Sequence, residues 1–240
     1  CSNMCHESSG KGLGSTIGIG KGTVTLEDFN HSELILVIGQ NPGTNHPRML
    51  TALRDAKRKG SKIIHINPLP EAGLERFKHP QDYMNLDFKS TKLSDFHLQV
   101  KIGGDAALMK GLIKVHLESG GMDLDFINNS TTGFQSMCDE VKNTPWDVIV
   151  QDSGVKRDLI EKVGELCSRS KATIACWAMG LTQHRNGVSV IQEVVNLLLI
   201  GGHVGRKGAG FCPVRGHSNV QGDRTVGIWE APSDSFLDRM

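Results

Sequence analysis

The stretch that decides the fold is LILVIGQNPGTNHP, residues 34–47. Its first six residues form a continuous apolar run, which is typical of a strand buried on both faces. The remainder is a cluster of turn residues. Apolar residues then recur at helical spacing over 48–60, and KIIHIN at 62–67 is a second buried strand. A strand, a helix and a strand in this order predict parallel pairing with a right-handed crossover.

The rest of the chain continues this alternation. We predict a short edge strand and turn over 98–105, a buried strand over 173–180, helices over 106–119 and 188–199, and further helical patterns at 123–143 and 156–170. The polar, glycine-rich stretch 7–23 is predicted as loop with room for one short helix. The pattern predicts an α/β fold with three layers, αβα, around a mostly parallel Rossmann-like sheet.

Three regions follow from this reading. Residues 1–30 are a glycine-rich segment, residues 31–210 form the layered domain, and residues 211–240 are the last region; the periodic pattern is lost from residue 203 onward. We expect the last region to be loop that leads to a neighbouring domain. The chain begins on a cysteine with no apolar leader, so we also expect a fragment of a longer protein.

The composition argues against several classes of protein. The chain has 27 basic and 26 acidic residues, a balance that argues against a broad nucleic-acid surface. The best apolar run, VVNLLLIGG at 194–202, is too short to span a bilayer. The six cysteines form no CxxC pair and no Cys/His quartet, which argues against structural zinc. Scattered cysteines in apolar patterns favour a reducing, cytoplasmic location.

The residues after each predicted strand are rich in glycine, amides and hydroxyls. They read GQNPGTNHP, NPLPE, GGD and AMGLTQH. In open parallel sheets ligands bind at the carboxyl ends of strands, and such groups suit phosphates and nucleobase edges. For any one strand end, the alternative is that these residues simply form an ordinary turn.

Two familiar nucleotide motifs are absent. STIGIGKG at 15–22 fails the phosphate-loop pattern, because serine and glycine stand where glycine and a hydroxyl residue are needed. No G-x-G-x-x-G follows the first strand. These absences argue against an ATPase and a standard nicotinamide dehydrogenase.

Two charged residues stand out, each with two interpretations. Asp105 follows two glycines at a helix start, where it either caps the helix or accepts the paired N–H groups of a guanine edge. Arg215, in FCPVRGHSNVQG, is either a solvated charge or the group that holds a small anion through its planar fork.

Five segments carry a family resemblance, in the order in which the family has them. They are CSNMCHESS, LILVIGQNPGTNHP, WAMGLTQH, GRKGAG and PVRGHSNVQGD. Together they resemble the molybdopterin oxidoreductases, and within these the formate dehydrogenase alpha-subunit branch and its acid-resistance-associated members. The resemblance implies an internal fragment of an enzyme with molybdenum bis(molybdopterin guanine dinucleotide). It also implies a 4Fe–4S cluster whose ligands lie outside this chain.

The resemblance also assigns roles. Cys5 would ligate molybdenum, His6 would move a proton, and Arg215 would hold formate or a similar small anion; a buried thiol and a surface histidine are the plain alternatives for the first two. Residues 1–30 become the active-site segment, 31–210 the nucleotide-binding domain and 211–240 a cofactor-contacting loop. The residues expected to contact the cofactor are Gly39, Asn41, Thr44, Asn67, Asp105, Met179, Gly180, Gln183, Gly216, His217, Asn219 and Gln221.

The chain departs from the family pattern at two places. Asn67-Pro68-Leu69 stands where Asp-Pro-Arg is common, which removes a charge suited to a ribose hydroxyl, and cysteine rather than selenocysteine occupies position 5. The rival interpretation is a nucleotide-binding or scaffolding domain that keeps the fold without metal. The sequence does not identify the electron-transfer partner.

Overall fold

A computed structural model describes residues 5–80, 90–217, 219–228 and 232–240. A five-stranded sheet with the order β5-β2-β1-β6-β7 forms its centre, and all neighbouring pairs are parallel. Its strands are β1 (Leu34–Ile38), β2 (Lys62–Ile66), β5 (Phe96–Leu98), β6 (Thr173–Trp177) and β7 (Gly210–Pro213), and the two-residue strands β3 (Arg76–Phe77) and β4 (Thr91–Lys92) form a separate antiparallel pair.

The helices of the described residues connect these strands. They are α1 (Glu7–Ile17), a 3₁₀ helix (Glu27–His31), α2 (Pro42–Asn45), α3 (Pro47–Arg58), α4 (Ala72–Glu75), α5 (Asp105–Glu118), α6 (Leu124–Ser130), α7 (Phe134–Asn143), α8 (Trp146–Ser153), α9 (Arg157–Arg169), α10 (Met179–Thr182), α11 (Gly187–Ile200), α12 (Val220–Thr225) and α13 (Asp234–Leu237). The β1–α3–β2 unit matches the order predicted from 34–67.

Both faces of β1 are buried, which explains its uninterrupted apolar sequence. Leu34, Leu36 and Ile38 belong to a core shared with α1, α5 and α11. Ile35 and Val37 belong to a second core, shared with α3 and the 3₁₀ helix. Alternate side chains of a strand point to opposite faces, so helices cover the sheet on both sides. The predicted three-layer αβα fold is confirmed.

The prediction of loop over most of 7–23 is wrong, because residues 7–17 form α1. This helix packs against α11. A Cβ atom added at Gly12 would lie 2.8 Å from Ile191 Cγ2, so glycine there permits the close approach of the two helices. The glycines were read as loop formers, whereas one of them serves helix packing.

Other boundaries also differ from the prediction. The edge strand near residue 98 is only Phe96–Leu98, and the helical pattern over 123–143 divides into α6 and α7. Neither α8 nor β7 was predicted, and β7 forms the other edge of the sheet. Its sequence, GFCP, is too short and too rich in glycine and proline to show a strand pattern. Among the helices of the described ranges, none is long and apolar enough to cross a membrane.

Candidate functional site

A polar cavity of about 340 Å³ lies where the carboxyl ends of the central strands meet. This is the edge of a parallel sheet at which ligands bind. Its lining comes from the turns after β1, β2, β6 and β7: Gly39, Gln40, Asn41, Asn45, His46, Asn67, Glu71, Ala178, Met179, Gly180, Val214 and Gly216. We refer to it as the strand-end cavity.

Two glycines hold the turns after β1 and β6 against each other. Gly39 has φ +56°, and its carbonyl oxygen accepts a 3.0 Å hydrogen bond from the Gly180 N–H. A Cβ atom added at Gly180 would lie 2.5 Å from the Gly39 backbone. No side chain fits between the two turns, so backbone rather than side chain forms this part of the cavity wall.

Cys5 is buried beside this cavity. Its carbonyl oxygen accepts hydrogen bonds from Thr182 Oγ1 at 2.6 Å and from Gln183 Nε2 at 3.4 Å, which fasten the start of α1 to α10. The Cys5 Sγ atom lies 3.9 Å from the position that a Cβ atom would occupy at Gly216. The thiol therefore sits next to the loop after β7.

His6 is held by bonds at both ring nitrogens. Nε2 lies 2.9 Å from the Val214 carbonyl oxygen, which can only accept, so Nε2 carries a proton. Nδ1 then accepts from the Ser9 hydroxyl at 2.8 Å, and Ser9 Oγ accepts from Trp177 Nε1 at 2.9 Å. Burial, with smaller contributions from the charges of Arg215 and His46, lowers the pKa of His6 to about 4. The ring is neutral at pH 7.

Arg215 is fixed by its backbone and partly open at its side chain. Its carbonyl oxygen accepts from His46 Nε2 at 3.0 Å, and its Nη2 donates to the Gly20 carbonyl oxygen at 3.0 Å. Its Nε is buried without a hydrogen-bond partner in the described residues. Burial lowers the pKa of Arg215 from its ordinary value. A buried guanidinium with an unused donor suits an anionic ligand.

A second cavity, of about 360 Å³, lies on the other side of Arg215. Its lining carries four basic residues, which face a single carboxylate, and we call it the cationic cavity. Its residues are His6, Glu7, Gly10, Lys11, Gly20, Lys21, Arg215, Gln221 and Arg224. Glu7 Oε2 forms an ion pair with Arg224 Nη2 at 3.3 Å. One carboxylate against four basic residues leaves the lining of the cavity with a net positive charge. Consecutive residues, Arg215 and Gly216, line the two cavities.

The structure brings most of the expected cofactor residues to these cavities. The strand-end cavity is lined by Gly39, Asn41, Asn67, Met179, Gly180 and Gly216, and the cationic cavity by Gln221. Thr44 donates its N–H to Asn41 Oδ1 at 3.1 Å, and Gln183 contacts Cys5. His217 and Asn219 are exposed next to these residues, and Asn219 precedes α12 with φ 54°.

Asp105 is not among the residues that line either cavity. It is the first residue of α5 and is only 5% exposed. Gly104 occupies the N-cap position without a side-chain cap bond, so the capping interpretation is wrong. Burial raises the pKa of Asp105 to about 6, and the charge of His184 opposes this rise.

Several site residues were not predicted from the sequence. Gln40, His46 and Glu71 line the strand-end cavity, and Gln40 Oε1 is buried without a partner in the described part of the chain. All three lie in strand-tip segments that were noted for their polarity, so position at a strand end was the available signal. Ser9 and Trp177, which hold His6, had no such signal.

No group of three or more His, Cys, Asp or Glu side chains within the described ranges is arranged to hold a metal ion. A metal near Cys5 would therefore take most of its ligands from a source other than these side chains.

Comparison with known proteins identifies the family. A family model described as molybdopterin oxidoreductase matches residues 3–227. The chain belongs to the molybdopterin oxidoreductase family. The match covers the α1 segment, the whole sheet and the Arg215 loop, which together form the two cavities.

Two relatives show how similar this chain is to longer proteins. Protein YdeP of Escherichia coli is 48% identical over 251 residues, covering 100% of this chain and 33% of YdeP. The F420-dependent formate dehydrogenase subunit alpha of Methanocaldococcus jannaschii is 30% identical, covering 95% of this chain and 31% of that subunit. The chain thus spans about a third of the length of these relatives.

Among solved structures, acetylene hydratase from Pelobacter acetylenicus has a similar fold. The TM-score is 0.70 over 86% of this chain and 26% of that protein, at 23% sequence identity. At this identity the likeness concerns the fold alone, and it agrees with the three-layer architecture.

Proposed function

We propose that this chain is the nucleotide-binding core of a molybdenum oxidoreductase that holds bis(molybdopterin guanine dinucleotide) and oxidises a small anion by two electrons, with formate as the first candidate. One observation carries the proposal. Arg215 is about two hundred residues from the adjacent Cys5 and His6 in sequence, yet Arg215 and His6 line the same cavity and the Cys5 Sγ atom lies 3.9 Å from the Cβ position of Gly216.

The residues present fit such a cofactor. Gln40 Oε1 and Arg215 Nε are both buried without partners in the described residues, so each has a hydrogen bond to offer a ligand. The wall at Gly39 and Gly180 is bare backbone, which permits close approach of a large polar group. Amides of Asn41 and Asn67 add donors and acceptors suited to a nucleotide.

Each catalytic residue has a defined task in this proposal. Cys5 supplies a soft thiolate, the one protein ligand of a metal whose remaining ligands belong to the cofactor. The cofactor, when bound, supplies the two-electron redox chemistry. His6 takes and releases a proton beside the cationic cavity, and its ring is oriented for this by Ser9 and Val214.

Arg215 orients the substrate. Its buried Nε–H, together with the positive charge contributed by Lys11 and Lys21, favours an anion in the cationic cavity. The division into segments at residues 30 and 210 belongs to the proposal. The 4Fe–4S cluster outside this chain and a role in acid resistance also belong to it and rest on the resemblance, and the cytoplasmic location belongs to it and rests on the scattered cysteines.

The test uses the full-length protein with four variants. Molybdenum and released guanine nucleotide are measured, and formate oxidation is followed with an artificial electron acceptor. We expect Cys5→Ser to change the molybdenum spectrum and abolish turnover. His6→Ala should retain the metal and lower the rate by ~10²–10⁴-fold. Arg215→Ala should mainly raise KM, and Arg215→Lys should restore it only in part.

A matched control is Cys138→Ser, which removes a buried thiol of α7 far along the chain from the site. It should leave spectrum and turnover unchanged. Wild-type protein with molybdenum, combined with unchanged Cys5, His6 and Arg215 variants, would show that the site assignment is wrong. Wild-type protein without molybdenum or pterin would favour the scaffolding interpretation instead.

A further inference from the structure

We infer that the carboxylate of Glu71 binds the nucleotide half of the cofactor, by accepting two adjacent hydrogen bonds from its ribose diol or from its guanine edge. The inference rests on the proposed function for the identity of the nucleotide. Among the residues lining the strand-end cavity, Glu71 is the single acid. Asp105, which the sequence pointed to for this task, lies outside that lining.

Glu71 is aimed by two amides whose orientations are determined. Asn41 accepts the Thr44 N–H at Oδ1, so its Nδ2 is the atom that donates to Glu71 Oε2 at 2.6 Å. Asn67 Nδ2 donates to two acceptors, the Leu69 carbonyl oxygen at 3.2 Å and Glu71 Oε1 at 2.8 Å. Each carboxylate oxygen therefore accepts one amide hydrogen bond and keeps acceptor capacity for one more.

The backbone also places Glu71. It stands immediately before α4, and α4 lies against α2 through a pair of glycines. A Cβ atom added at Gly73 would lie 2.8 Å from the Gly43 Cα. This close packing brings Glu71 beside Asn41 at the end of β1 and Asn67 at the end of β2. The carboxylate therefore bridges two neighbouring strand ends at the cavity wall.

The charge of Glu71 is not neutralised by a cation within the described part of the chain. In the described residues, no lysine or arginine forms an ion pair with it, and both of its contacts are neutral amides. A carboxylate held by neutral donors, facing a polar cavity, suits a ligand that brings paired O–H or N–H donors. It also places a negative charge 2.8 Å from the Asn67 amide nitrogen, at the end of β2.

The first experiment measures cofactor in the full-length protein. Glu71→Gln keeps the size of the side chain and removes its charge. Glu75→Gln is the matched control, because Glu75 is an exposed acid of α4, the helix that Glu71 precedes. We expect guanine nucleotide released per protein to fall at least fivefold in Glu71→Gln and to stay unchanged in Glu75→Gln. Thermal unfolding confirms that both variants fold. Equal cofactor content in the two variants overturns the inference.

The second experiment identifies the donor with the cofactor-free full-length protein. GDP, 2′,3′-dideoxy-GDP and inosine diphosphate are titrated into wild type and Glu71→Gln. If the ribose is recognised, wild type binds GDP roughly tenfold more tightly than the dideoxy analogue, and the variant loses this difference. If the guanine edge is recognised, inosine diphosphate is the weak ligand. Equal binding of all three by wild type, or no GDP binding, overturns the inference.

The two experiments distinguish a failure of the inference about Glu71 from a failure of the proposed function. Wild-type protein without molybdenum but with Glu71-dependent GDP binding would refute the proposed enzyme and retain the nucleotide contact. Wild-type protein with full cofactor, together with full cofactor in Glu71→Gln, would refute the nucleotide contact of Glu71 and leave the proposed enzyme standing.

Discussion

Replacing Asp105 by asparagine should stabilise the folded chain at neutral pH. Asp105 is 5% exposed at the start of α5. Burial raises its pKa from 3.8 to about 6, against the smaller effects of His184 and of its own backbone N–H. That interval corresponds to about 3 kcal/mol, which is the free energy that the charged carboxylate costs the folded state.

The sign of the pH dependence follows from the raised pKa. Relative to the charged state, the protonated carboxyl stabilises the fold fully below pH 3.8, and this contribution is lost as pH rises to about 6. Asparagine is neutral at every pH. It forfeits the favourable interaction of a charge with the helix N-terminus, worth about 0.3–1 kcal/mol. Asp105→Asn should therefore unfold with a free energy about 2 kcal/mol above wild type at pH 8, and equal to it near pH 4.

Urea unfolding of both chains at pH 4, 6 and 8 measures this difference. Asp125→Asn is the control, because Asp125 is an exposed acid in the first turn of α6. It should show only the small, destabilising loss of the helix N-terminal interaction. A lower stability of Asp105→Asn at pH 8, or a difference from wild type that does not vary with pH, would refute the argument from buried charge.

Three further substitutions test other parts of the structure. His65 is fully buried with both ring nitrogens unpartnered in the described residues, and its pKa is lowered from 6.5 to about 4. The contribution of the neutral ring to stability is present above pH 6.5 and is lost as pH falls toward 4. Phenylalanine does not take up a proton. Between pH 6.5 and 4, the free energy of unfolding measured in urea should therefore fall by up to about 3 kcal/mol less in His65→Phe than in wild type. Gly180→Ala should cost about 1–3 kcal/mol, because the added methyl group meets the Gly39 backbone. Gly14→Ala, in α1 with nothing within 4 Å of the added atom, should instead add about 0.5–1 kcal/mol. Thermal unfolding of these two variants that gave the same sign would contradict the packing argument.

The sheet was predictable where the pattern was unambiguous. The runs at β1, β2 and β6 are mostly apolar because both faces of these strands are largely buried, and α3 shows helical spacing before a terminal glycine. β7 was not predictable, since its four residues become a strand only by pairing with β6. The α1 helix was missed because its three glycines resemble loop formers, although Gly12 serves packing against α11.

The site was predictable only in part. Arg215 stood out by its own sequence context, but only the family resemblance joined it to Cys5 and His6, because no spacing rule connects residues about two hundred positions apart. Strand-end position pointed to the segments of Asn41 and Asn67. It could not show that Glu71 lies between their amides, which depends on the glycine contact between α2 and α4.

The hydrogen bonds that hold His6 run in one direction only. Trp177 donates to Ser9, Ser9 to His6, and His6 to the Val214 carbonyl oxygen. An indole N–H neither accepts a proton nor gives one up near neutral pH, so the chain is closed at its Trp177 end. Both ring nitrogens of His6 are engaged in this chain of hydrogen bonds, Nδ1 with Ser9 and Nε2 with Val214. In the proposed reaction, protonation of the ring would require Ser9 to stop donating to Nδ1, so the reorientation of one buried hydroxyl would accompany each proton transfer.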